Sequence, residues 1–261
     1  MMCAATAGQR GRRVLLVDHF PILGEKIRIS GGGRCNFTNT GAGPANYLSQ
    51  NPDFCRSALA RFTPADFVKL VERHGIAYHE KKLGQLFCDN SARDIIRMLK
   101  ADCDAAGVQW RMPCAVHGVA HDGSTFRVAT AAGDVRASSL VIATGGLTVP
   151  KIGATPFGYR IAEQFGMAVV PPRPALVPLA FPPDALARYG DLSGISVDAE
   201  VSCNGGRFRE NLLFTHRGLS GPAILQISSY WDGRTPLAID LLPGADAQAW
   251  LGTRADSGAL L

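Results

Sequence analysis

The stretch of this 261-residue chain best suited to chemistry is a run of three glycines, residues 31–33, followed by an arginine and several short polar residues. Glycine has no side chain to hold a ligand away, so backbone N–H groups in such a loop can approach a polyanion. Arg34 can donate paired hydrogen bonds to a phosphate, while Asn36, Thr38 and Asn39 can bond a ring edge or the local backbone. Composition alone leaves two interpretations open, a binding loop and a flexible surface turn closed by asparagine.

The segment before this loop favours binding. Residues 14–17 are an apolar run that ends in Asp18, which predicts a strand buried on both faces with an acid at its carboxyl end. In a doubly wound sheet such an acid bonds the ribose of a dinucleotide, about 20 residues after a glycine fingerprint on the first strand. Only seventeen residues precede Asp18, and residues 1–9 are typical of a helix ending near Gly8. We therefore expect the chain to begin inside the first crossover helix.

Three segments resemble the BaiN-like flavoproteins, a family also described as aminoacetone oxidase family FAD-binding enzymes or NAD(P)/FAD-dependent oxidoreductases. They are Gly24 to Asn39, Ala143-Thr144-Gly145-Gly146 and Leu213 to Ala223. The resemblance implies an α/β fold, with a FAD-binding Rossmann-like domain of the two-dinucleotide-binding type and an inserted β-rich, barrel-like domain. Members of that family also carry an N-terminal glycine fingerprint and a C-terminal flavin-binding segment, so we expect this chain to be truncated at both ends.

The resemblance also implies where FAD binds. Asp18 would hold the ribose, the loop 30–39 would wrap the pyrophosphate and the flavin side, and the turn 144–146 would close the site. Residues 140–143 predict a buried parallel strand, and ligands lie beyond the carboxyl ends of such strands. A tight turn without a ligand is the alternative for 144–146. The predicted cofactor-binding residues are Asp18, Lys26, Ser30, Gly31, Gly32, Gly33, Arg34, Cys35, Asn36, Thr38, Asn39, Thr144, Gly145 and Gly146.

His216 is the side chain for which we predict a catalytic role, because its neighbours Thr215 and Arg217 can orient it or hold an anionic substrate. A structural histidine that bonds the backbone of this glycine-rich turn is an equal alternative. Arg34 could lower the pKa of Cys35 and make it a redox thiol beside the flavin. Because the sequence shows no partner cysteine next to it, we favour a packing role for Cys35.

Charge and composition narrow the classes of partner. The chain has 27 Lys and Arg against 22 Asp and Glu, a net charge of +5, but the arginines are scattered and form no basic run with interleaved aromatics. Its seven cysteines form no C-x-x-C pair, which argues against a zinc site and fits a reducing compartment. We therefore predict a cytoplasmic protein that binds a small-molecule substrate and has no metal, nucleic-acid partner or membrane span.

The predicted elements fall into two domains. Residues 1–170 form the FAD-binding Rossmann-like domain without its first strand, and residues 171–261 form an incomplete β-rich substrate domain. The stiff connector Pro171-Pro172-Arg173-Pro174 lies at the boundary. Helix signals begin at Thr63 and Ser91, and strand patterns predict a hairpin over 78–87 and a meander over 116–137.

Together these patterns predict a FAD-dependent oxidoreductase that acts on a small organic substrate by hydride or electron transfer. Whether NAD(P)H is the electron donor or oxygen the acceptor is left open, as are the substrate and the oligomeric state. The alternative is a non-catalytic truncated remnant that binds FAD weakly or not at all. An NAD-only dehydrogenase is less favoured, because the three glycines follow the ribose-binding strand instead of preceding it.

Overall fold

A computed structural model describes residues 1–255 of the chain, which divides into two compact units, Met1–Val169 and a second that begins at Val170. The last six residues of the predicted domain 171–261 lie outside the described residues. Both units contain helices and strands, as the α/β prediction requires.

The first unit contains six helices and eight strands in its described chain. The helices are α1 (Met2–Gln9), α2 (Glu25–Ile29), α3 (Arg56–Arg61), α4 (Pro64–Arg73), α5 (Arg93–Ala105) and α6 (Phe157–Gln164). The strands are β1 (Leu15–Val17), β2 (Asn36–Asn39), β3 (Tyr78–Glu80), β4 (Gln85–Cys88), β5 (Gln109–Arg111), β6 (Val116–His121), β7 (Phe126–Thr130) and β8 (Val135–Ala137). Single 3₁₀ turns occur at Ser30–Gly33, Pro44–Asn46 and Pro150–Ile152.

These strands form three small sheets. β1 and β5 are parallel, with Leu15 opposite Gln109 and Val17 opposite Arg111. β2, β4 and β3 form an antiparallel sheet in that order, and β6, β7 and β8 form the predicted antiparallel meander. The hairpin predicted over 78–87 is confirmed as β3 and β4.

Two amphipathic helices supply most of one buried cluster of this unit. The hydroxyl oxygen of Thr63 accepts a hydrogen bond from the backbone N–H of Asp66, and the Asp66 carboxylate accepts one from the N–H of Thr63. This capping box, with Pro64 at the first helical position, starts α4 where the sequence predicts. The apolar faces of α4 and α5 bury a shared cluster that includes Leu70, Val71, Ile95, Met98 and Leu99.

The strand predicted over residues 140–143 is wrong. In the structure this segment pairs with no strand of the described chain, and 61% of the Val141 side chain is exposed. A parallel strand forms only when a neighbour satisfies its backbone N–H and C=O groups, and β1 pairs only with β5 among the described residues. For the same reason β1 is half-buried along its length instead of buried on both faces.

The second unit is built around one five-stranded antiparallel sheet. Its strands are β9 (Leu179–Ala180), β10 (Ser196–Cys203), β11 (Gly206–Thr215), β12 (Gly218–Ser220) and β13 (Ala238–Asp240), in the spatial order β13-β10-β11-β12-β9. Its helices are α7 (Pro183–Tyr189), α8 (Pro222–Ile227) and α9 (Ala247–Ala255), with a 3₁₀ turn at Gly190–Leu192.

The core of the second unit lies between this sheet and α8. Ala199, Val201 and Cys203 alternate along β10 toward the core, and Ile224 and Ile227 of α8 pack against them with no exposed surface on either isoleucine. The alternating apolar residues of 195–203 and 208–214 favour strands, and the structure has β10 and β11 there, within two residues of these bounds. The six residues of α8 carry too little helical periodicity to be predicted. No helix of the described chain is long and apolar enough to cross a membrane.

Candidate functional site

The carboxyl end of β1 places Asp18 at the edge where α/β sheets bind ligands. The Asp18 carboxylate is 39% exposed, and its Oδ1 atom accepts a hydrogen bond of 2.9 Å from the backbone N–H of Phe20. Its Oδ2 atom has no hydrogen-bond partner in residues 1–255. The backbone of Asp18 is held on both sides, because its N–H donates to the carbonyl of Arg111 and its carbonyl accepts from the N–H of Cys114.

Arg111 ends the neighbouring strand β5 at the same edge. Its Nη1 atom is buried and has no hydrogen-bond acceptor in the described chain. A buried guanidinium nitrogen without an acceptor has lost its hydrogen bonds to water without compensation. This atom is therefore free to donate to an anionic or polar ligand. The sequence gives no direct signal for Arg111, because its position beside Asp18 depends on the pairing of β1 with β5.

The glycine loop is a rigid turn whose outer side is open. Gly31 and Gly32 adopt φ values of 56° and 66°, and Gly33 has a φ of 86°. A Cβ atom on Gly31 would lie 2.7 Å from the backbone nitrogen of Asn36 and 2.8 Å from the Phe87 ring, so the inner side is closely packed. A Cβ atom on Gly32 or Gly33 would meet nothing within 4 Å.

Backbone hydrogen bonds fix this loop to β4 and α5. The carbonyl of Gly33 accepts from the N–H of Ala92 at 2.7 Å, and the carbonyl of Arg34 accepts from the N–H of Cys88 at 3.0 Å. The Arg34 side chain is exposed and forms no ion pair within residues 1–255. The loop therefore presents a free guanidinium beside open backbone, which is the arrangement that an anion-binding loop needs.

The polar side chains predicted to contact the cofactor divide into two groups. Ser30 donates its hydroxyl to the carbonyl of Ile27 at 2.7 Å, and Asn39 bonds the backbone of Leu83 and Gly41, so both hold the protein's own turns. Asn36 is exposed and Thr38 half-buried at the start and middle of β2.

Cys35 lies in the core beneath the loop, with Cys88 beside it. Both belong to the same buried cluster, 5% and 0% exposed respectively, although the sequence separates them by more than fifty residues. Burial raises the pKa of the Cys35 thiol, and a hydrogen bond with Ser30 offsets part of this shift. Burial, and secondarily the nearby Cys35, raises the pKa of Cys88 to about 11. Thiols that stay protonated are poor nucleophiles, so the geometry favours packing over redox chemistry for Cys35.

Lys26 links the glycine loop region to the second glycine motif. Its ammonium group donates to the carbonyl of Gly146 at 3.0 Å and to the hydroxyl of Thr148 at 3.2 Å. A Cβ atom on Gly145 would lie 3.7 Å from the same ammonium. Lys26 and the turn 144–146, predicted separately to bind the cofactor, are therefore in direct contact.

The loop that follows the second motif packs closely against the end of β1. A Cβ atom on Gly153 would lie 2.8 Å from the ring of Phe20 and 3.0 Å from Nε2 of His19. A Cβ atom on Gly158 would lie 2.6 Å from the hydroxyl of Thr144. Glycine is needed at both positions for this close approach, which gathers residues 18–20 and the 144–158 segment into one site.

An ion pair forms within the helix that carries Lys26. Glu25 is only 7% exposed, and its two carboxylate oxygens accept hydrogen bonds of 2.5 and 2.8 Å from the guanidinium of Arg28. These hydrogen bonds hold the pKa of the Glu25 carboxyl below its usual range. The pair links residues three positions apart and so stabilises this short helix.

His216 lies in the second unit, in the turn between β11 and β12. The Thr215 hydroxyl donates to the carbonyl of Gly218 and accepts from the N–H of Arg217, so Thr215 holds the turn and does not orient the histidine. The imidazole of His216 is exposed and has no hydrogen-bond partner within residues 1–255. A catalytic role for His216 stays a prediction.

A cavity of about 540 Å³ lies beside α4 and β3 and is lined in part by Glu72, Tyr78 and His79. It also reaches Leu86, which pairs with the predicted site residue Thr38. The Tyr78 hydroxyl donates to the Glu72 carboxylate at 2.8 Å, and His79 bonds Asp89 at 2.6 Å. Glu72, Tyr78 and His79 of the cavity therefore bond groups of the protein itself. His74 is held in a similar way, with its ring bonded to Asp102 at 2.9 Å.

The donor set at the carboxyl edge fits FAD. Asp18 offers a free carboxylate oxygen for ribose hydroxyls, while Arg34 and the open side of Gly32 and Gly33 suit a pyrophosphate. The buried, unpaired Nη1 atom of Arg111 gives independent support, because a donor without an acceptor at this edge matches a polar ligand. No group of three or more His, Cys, Asp or Glu side chains that could hold a metal occurs in the described residues.

Comparison with known proteins gives a consistent result. A family model described as "HI0933-like protein Rossmann domain" matches residues 1–235. The chain is 54% identical over 252 residues to a ribosomal RNA dihydrouridine synthase of Escherichia coli (strain K12) and 46% identical over 258 residues to one of Haemophilus influenzae. These matches cover 96% and 95% of this chain, and 63% of the length of either relative.

More distant proteins also match. A 3-dehydro-bile acid delta(4,6)-reductase of Clostridium scindens is 24% identical over 256 residues, which cover 94% of this chain and 62% of that protein. Among solved structures, the open form of NikD, described as an unusual amino acid oxidase, aligns with 56% of this chain and 48% of its own at 15% identity and a TM-score of 0.29.

Proposed function

The chain belongs to the HI0933-like Rossmann family of FAD-binding oxidoreductases, and from that membership we propose that it is the FAD-binding part of an enzyme that reduces uridine in ribosomal RNA. The observation that carries this proposal is the 54% identity, over nearly the whole chain, with a ribosomal RNA dihydrouridine synthase.

The names of the relatives support reduction over oxidation. Dihydrouridine is uridine with hydrogen added across its C5–C6 double bond, and a bile acid delta(4,6)-reductase also acts on ring carbon–carbon double bonds. Bound FAD supplies the hydride chemistry that such a reduction needs. We further propose NAD(P)H, one of the two partners considered from the sequence, as the electron donor, because a reduction consumes electrons that oxygen does not provide.

The residues of this chain would bind and orient the cofactor. Asp18 accepts hydrogen bonds from ribose hydroxyls, and Arg34 donates to the pyrophosphate beside the open Gly32 backbone. Arg111 ends the strand that pairs with β1 and has an unpaired Nη1 atom, to which we assign a hydrogen bond with a ribose or phosphate oxygen of the cofactor. Lys26 holds the turn 144–146 in place, so that the loop closes against the cofactor in one conformation.

An RNA substrate differs from the small molecule that composition suggested. The absence of a long basic run argued against nucleic acid, but that criterion detects only charges that are neighbours in sequence. The name shared by two relatives at 54% and 46% identity supports RNA more directly than composition opposes it.

A BaiN-like activity is the second candidate function. It is supported by the 24% identity with the bile acid reductase, and it predicts a small organic substrate in place of RNA. An aminoacetone oxidase activity would instead couple amine oxidation to the consumption of oxygen.

The test is to purify the chain, add FAD and remove the unbound excess, and incubate it with NADPH and ribosomal RNA that lacks dihydrouridine. Nucleoside mass spectrometry then measures uridine that has gained two hydrogen atoms. We expect a flavin spectrum in the protein fraction, NADPH consumption that depends on RNA, and dihydrouridine at a limited set of sites. The Asp18→Asn variant is the control for cofactor binding at the proposed edge.

Each other result favours a named alternative. Bound FAD with NADPH oxidation on small enones but no dihydrouridine would favour the BaiN-like activity. Oxygen consumption with amines would favour the oxidase. A colourless protein that takes up no FAD would favour a non-catalytic remnant and overturn the proposal for this chain.

A further inference from the structure

Besides the cofactor edge, one other region of the first unit combines unpaired positive charge with an exposed aromatic ring. A groove of about 450 Å³ runs along α1 and is lined by Met2, Cys3, Thr6, Ala7, Arg10 and Phe62. Met2, Cys3, Thr6 and Ala7 share one face of α1, with Arg10 at its C-cap, while the opposite face buries Ala5 against Cys103 and Val108. Apart from Met2, which also packs against the core cluster of α4 and α5, these groove residues of α1 belong to none of the buried clusters of the described chain.

One arginine lines this groove, and three more lie within three residues of its lining residues along the chain. Arg10 lines it directly, Arg61 immediately precedes Phe62, and the backbone N–H of Arg12 donates to the carbonyl of Ala7, which folds the Arg12-Arg13 segment back onto the last turn of α1. All four side chains are exposed, and within residues 1–255 none of them forms an ion pair. The groove lining contains no aspartate or glutamate.

Several other arginines of the chain have acidic partners. Arg207 and Arg209 on β11 pair with Glu200 and Asp198 at 2.9 and 2.8 Å, and three arginines on the helices of the first unit, Arg28, Arg56 and Arg97, pair with acidic residues three positions away. Arg10, Arg12 and Arg13 are close in sequence, and an anionic partner relieves the repulsion between such charges.

We propose that the groove between α1 and Phe62 binds a single-stranded segment of the RNA substrate, with phosphates on Arg10, Arg12, Arg13 and Arg61 and a base stacked on Phe62. The inference rests on the proposed function, because the RNA comes from the names of the relatives, while the groove and its charge come from this chain. Proteins bind single strands by such a combination of arginine contacts to the backbone and aromatic rings that stack on bases. Phe62 is 43% exposed, so a face of its ring is accessible.

The test measures binding of a fluorescein-labelled oligouridylate by fluorescence anisotropy over a series of salt concentrations, using the full chain. The double variant Arg12→Gln/Arg13→Gln removes two groove charges, and Arg207→Gln/Arg209→Gln removes two charges that are already paired. We expect the groove variant to bind roughly tenfold more weakly at low salt, with a salt slope smaller by about 1.4, and the paired-arginine variant to bind like the parent.

Stacking is tested with a second matched pair. Phe62→Leu keeps an apolar side chain in the groove but removes the aromatic face, and we expect about a tenfold loss of affinity with an unchanged salt slope. Phe54→Leu changes an aromatic residue that is 82% exposed but does not line the groove, and we expect less than about a twofold change. Circular dichroism of each variant confirms that it is folded.

The outcomes separate this inference from the proposed function. Equal losses of RNA affinity in the groove and control variants would contradict the proposal that the groove binds RNA. The absence of RNA binding by the parent chain would contradict it as well. If the parent forms dihydrouridine while the groove variants bind and react normally, the proposed function stands and the groove fails. If the groove variants alone lose RNA affinity but no dihydrouridine forms, the groove stands as an RNA site and the reduction fails.

Discussion

The ammonium group of Lys26 donates a 3.0 Å hydrogen bond to the carbonyl of Gly146, 120 residues away, and this bond joins the two motifs Gly24 to Asn39 and Ala143 to Gly146. The two motifs were predicted to bind one cofactor, and this bond shows that they are in direct contact. It also makes the 144–148 turn dependent on one side chain of α2.

Lys26→Met removes this connection while keeping most of the apolar stem. A hydrogen bond from a charged group contributes about 1.5–3 kcal/mol, so we expect FAD to bind at least about tenfold more weakly. Quenching of flavin fluorescence during titration measures the affinity. Thr148→Val, which removes only the exposed acceptor at 3.2 Å, should have a smaller effect. Equal affinity in Lys26→Met and the parent would show that the turn does not contact the cofactor.

Arg111→Met tests the unpaired guanidinium. Because a buried donor without an acceptor costs about 1–3 kcal/mol, removing it should leave the FAD-free protein as stable as the parent or more stable. The same change should reduce the stabilisation that added FAD confers. Thermal unfolding with and without FAD measures both effects. A lower melting temperature without FAD, together with an unchanged increase on adding FAD, would mean that Arg111 serves the fold and not the ligand.

Alanine at two neighbouring glycines separates backbone strain from packing. Gly32→Ala places a side chain at a φ of 66° in open space, and we expect a loss of about 1–2 kcal/mol in the free energy of unfolding. Gly31→Ala has similar strain at a φ of 56° but also meets Asn36 and Phe87, so we expect a further loss of about 1–3 kcal/mol. Urea denaturation compares the two variants. Equal losses would contradict the close packing beneath the loop.

Cys88 should make the fold sensitive to alkali. Its pKa is raised from 9.0 to about 11 in the folded chain, so the folded state keeps a proton that the unfolded state loses. The unfolded state binds fewer protons over this range, so the contribution of Cys88 to stability is full below pH 9 and decreases as the pH rises to about 11. Urea denaturation at several pH values should show a steeper alkaline loss in the parent than in Cys88→Ala.

Reactivity gives a second measure of the same thiol. Because the thiolate is the species that reacts, alkylation by iodoacetamide at pH 8 should label the exposed Cys3 well before Cys35 or Cys88. Peptide mapping by mass spectrometry gives the order. Labelling of Cys35 at the rate of Cys3 would restore the redox interpretation of the glycine loop.

Much of the local structure could be predicted from the sequence. The Thr63, Pro64 and Asp66 pattern sets the start of α4, because a capping box depends on residues within one turn. The meander and the 78–87 hairpin also follow from alternating residues and turn glycines that are close in sequence. The membership in a FAD-binding Rossmann family, inferred from three motifs, agrees with the family match over residues 1–235.

Long-range pairing could not be predicted in the same way. Residues 140–143 have the apolar composition of a buried strand, but a strand also requires a hydrogen-bonded neighbour, and in the described chain this segment has none. Cys88 was not recognised as the neighbour of Cys35, because their contact follows from the pairing of β2 with β4. Arg10 and Phe62 likewise lie far apart in sequence and line one groove only in the folded chain.

The sequence by itself therefore determined the α/β class, the family and the identity of the loop that can bind an anion, since these depend on residue types at short spacing. Only the tertiary structure decided which charged groups are already paired and which are free. Lys26 is engaged by Gly146, Glu25 by Arg28 and Asn39 by Leu83, whereas Arg34 and the Nη1 atom of Arg111 have no acceptor in the described residues. The physical reason is that a hydrogen bond or a stretch of buried surface depends on distance in space, which the chain sets only after it has folded.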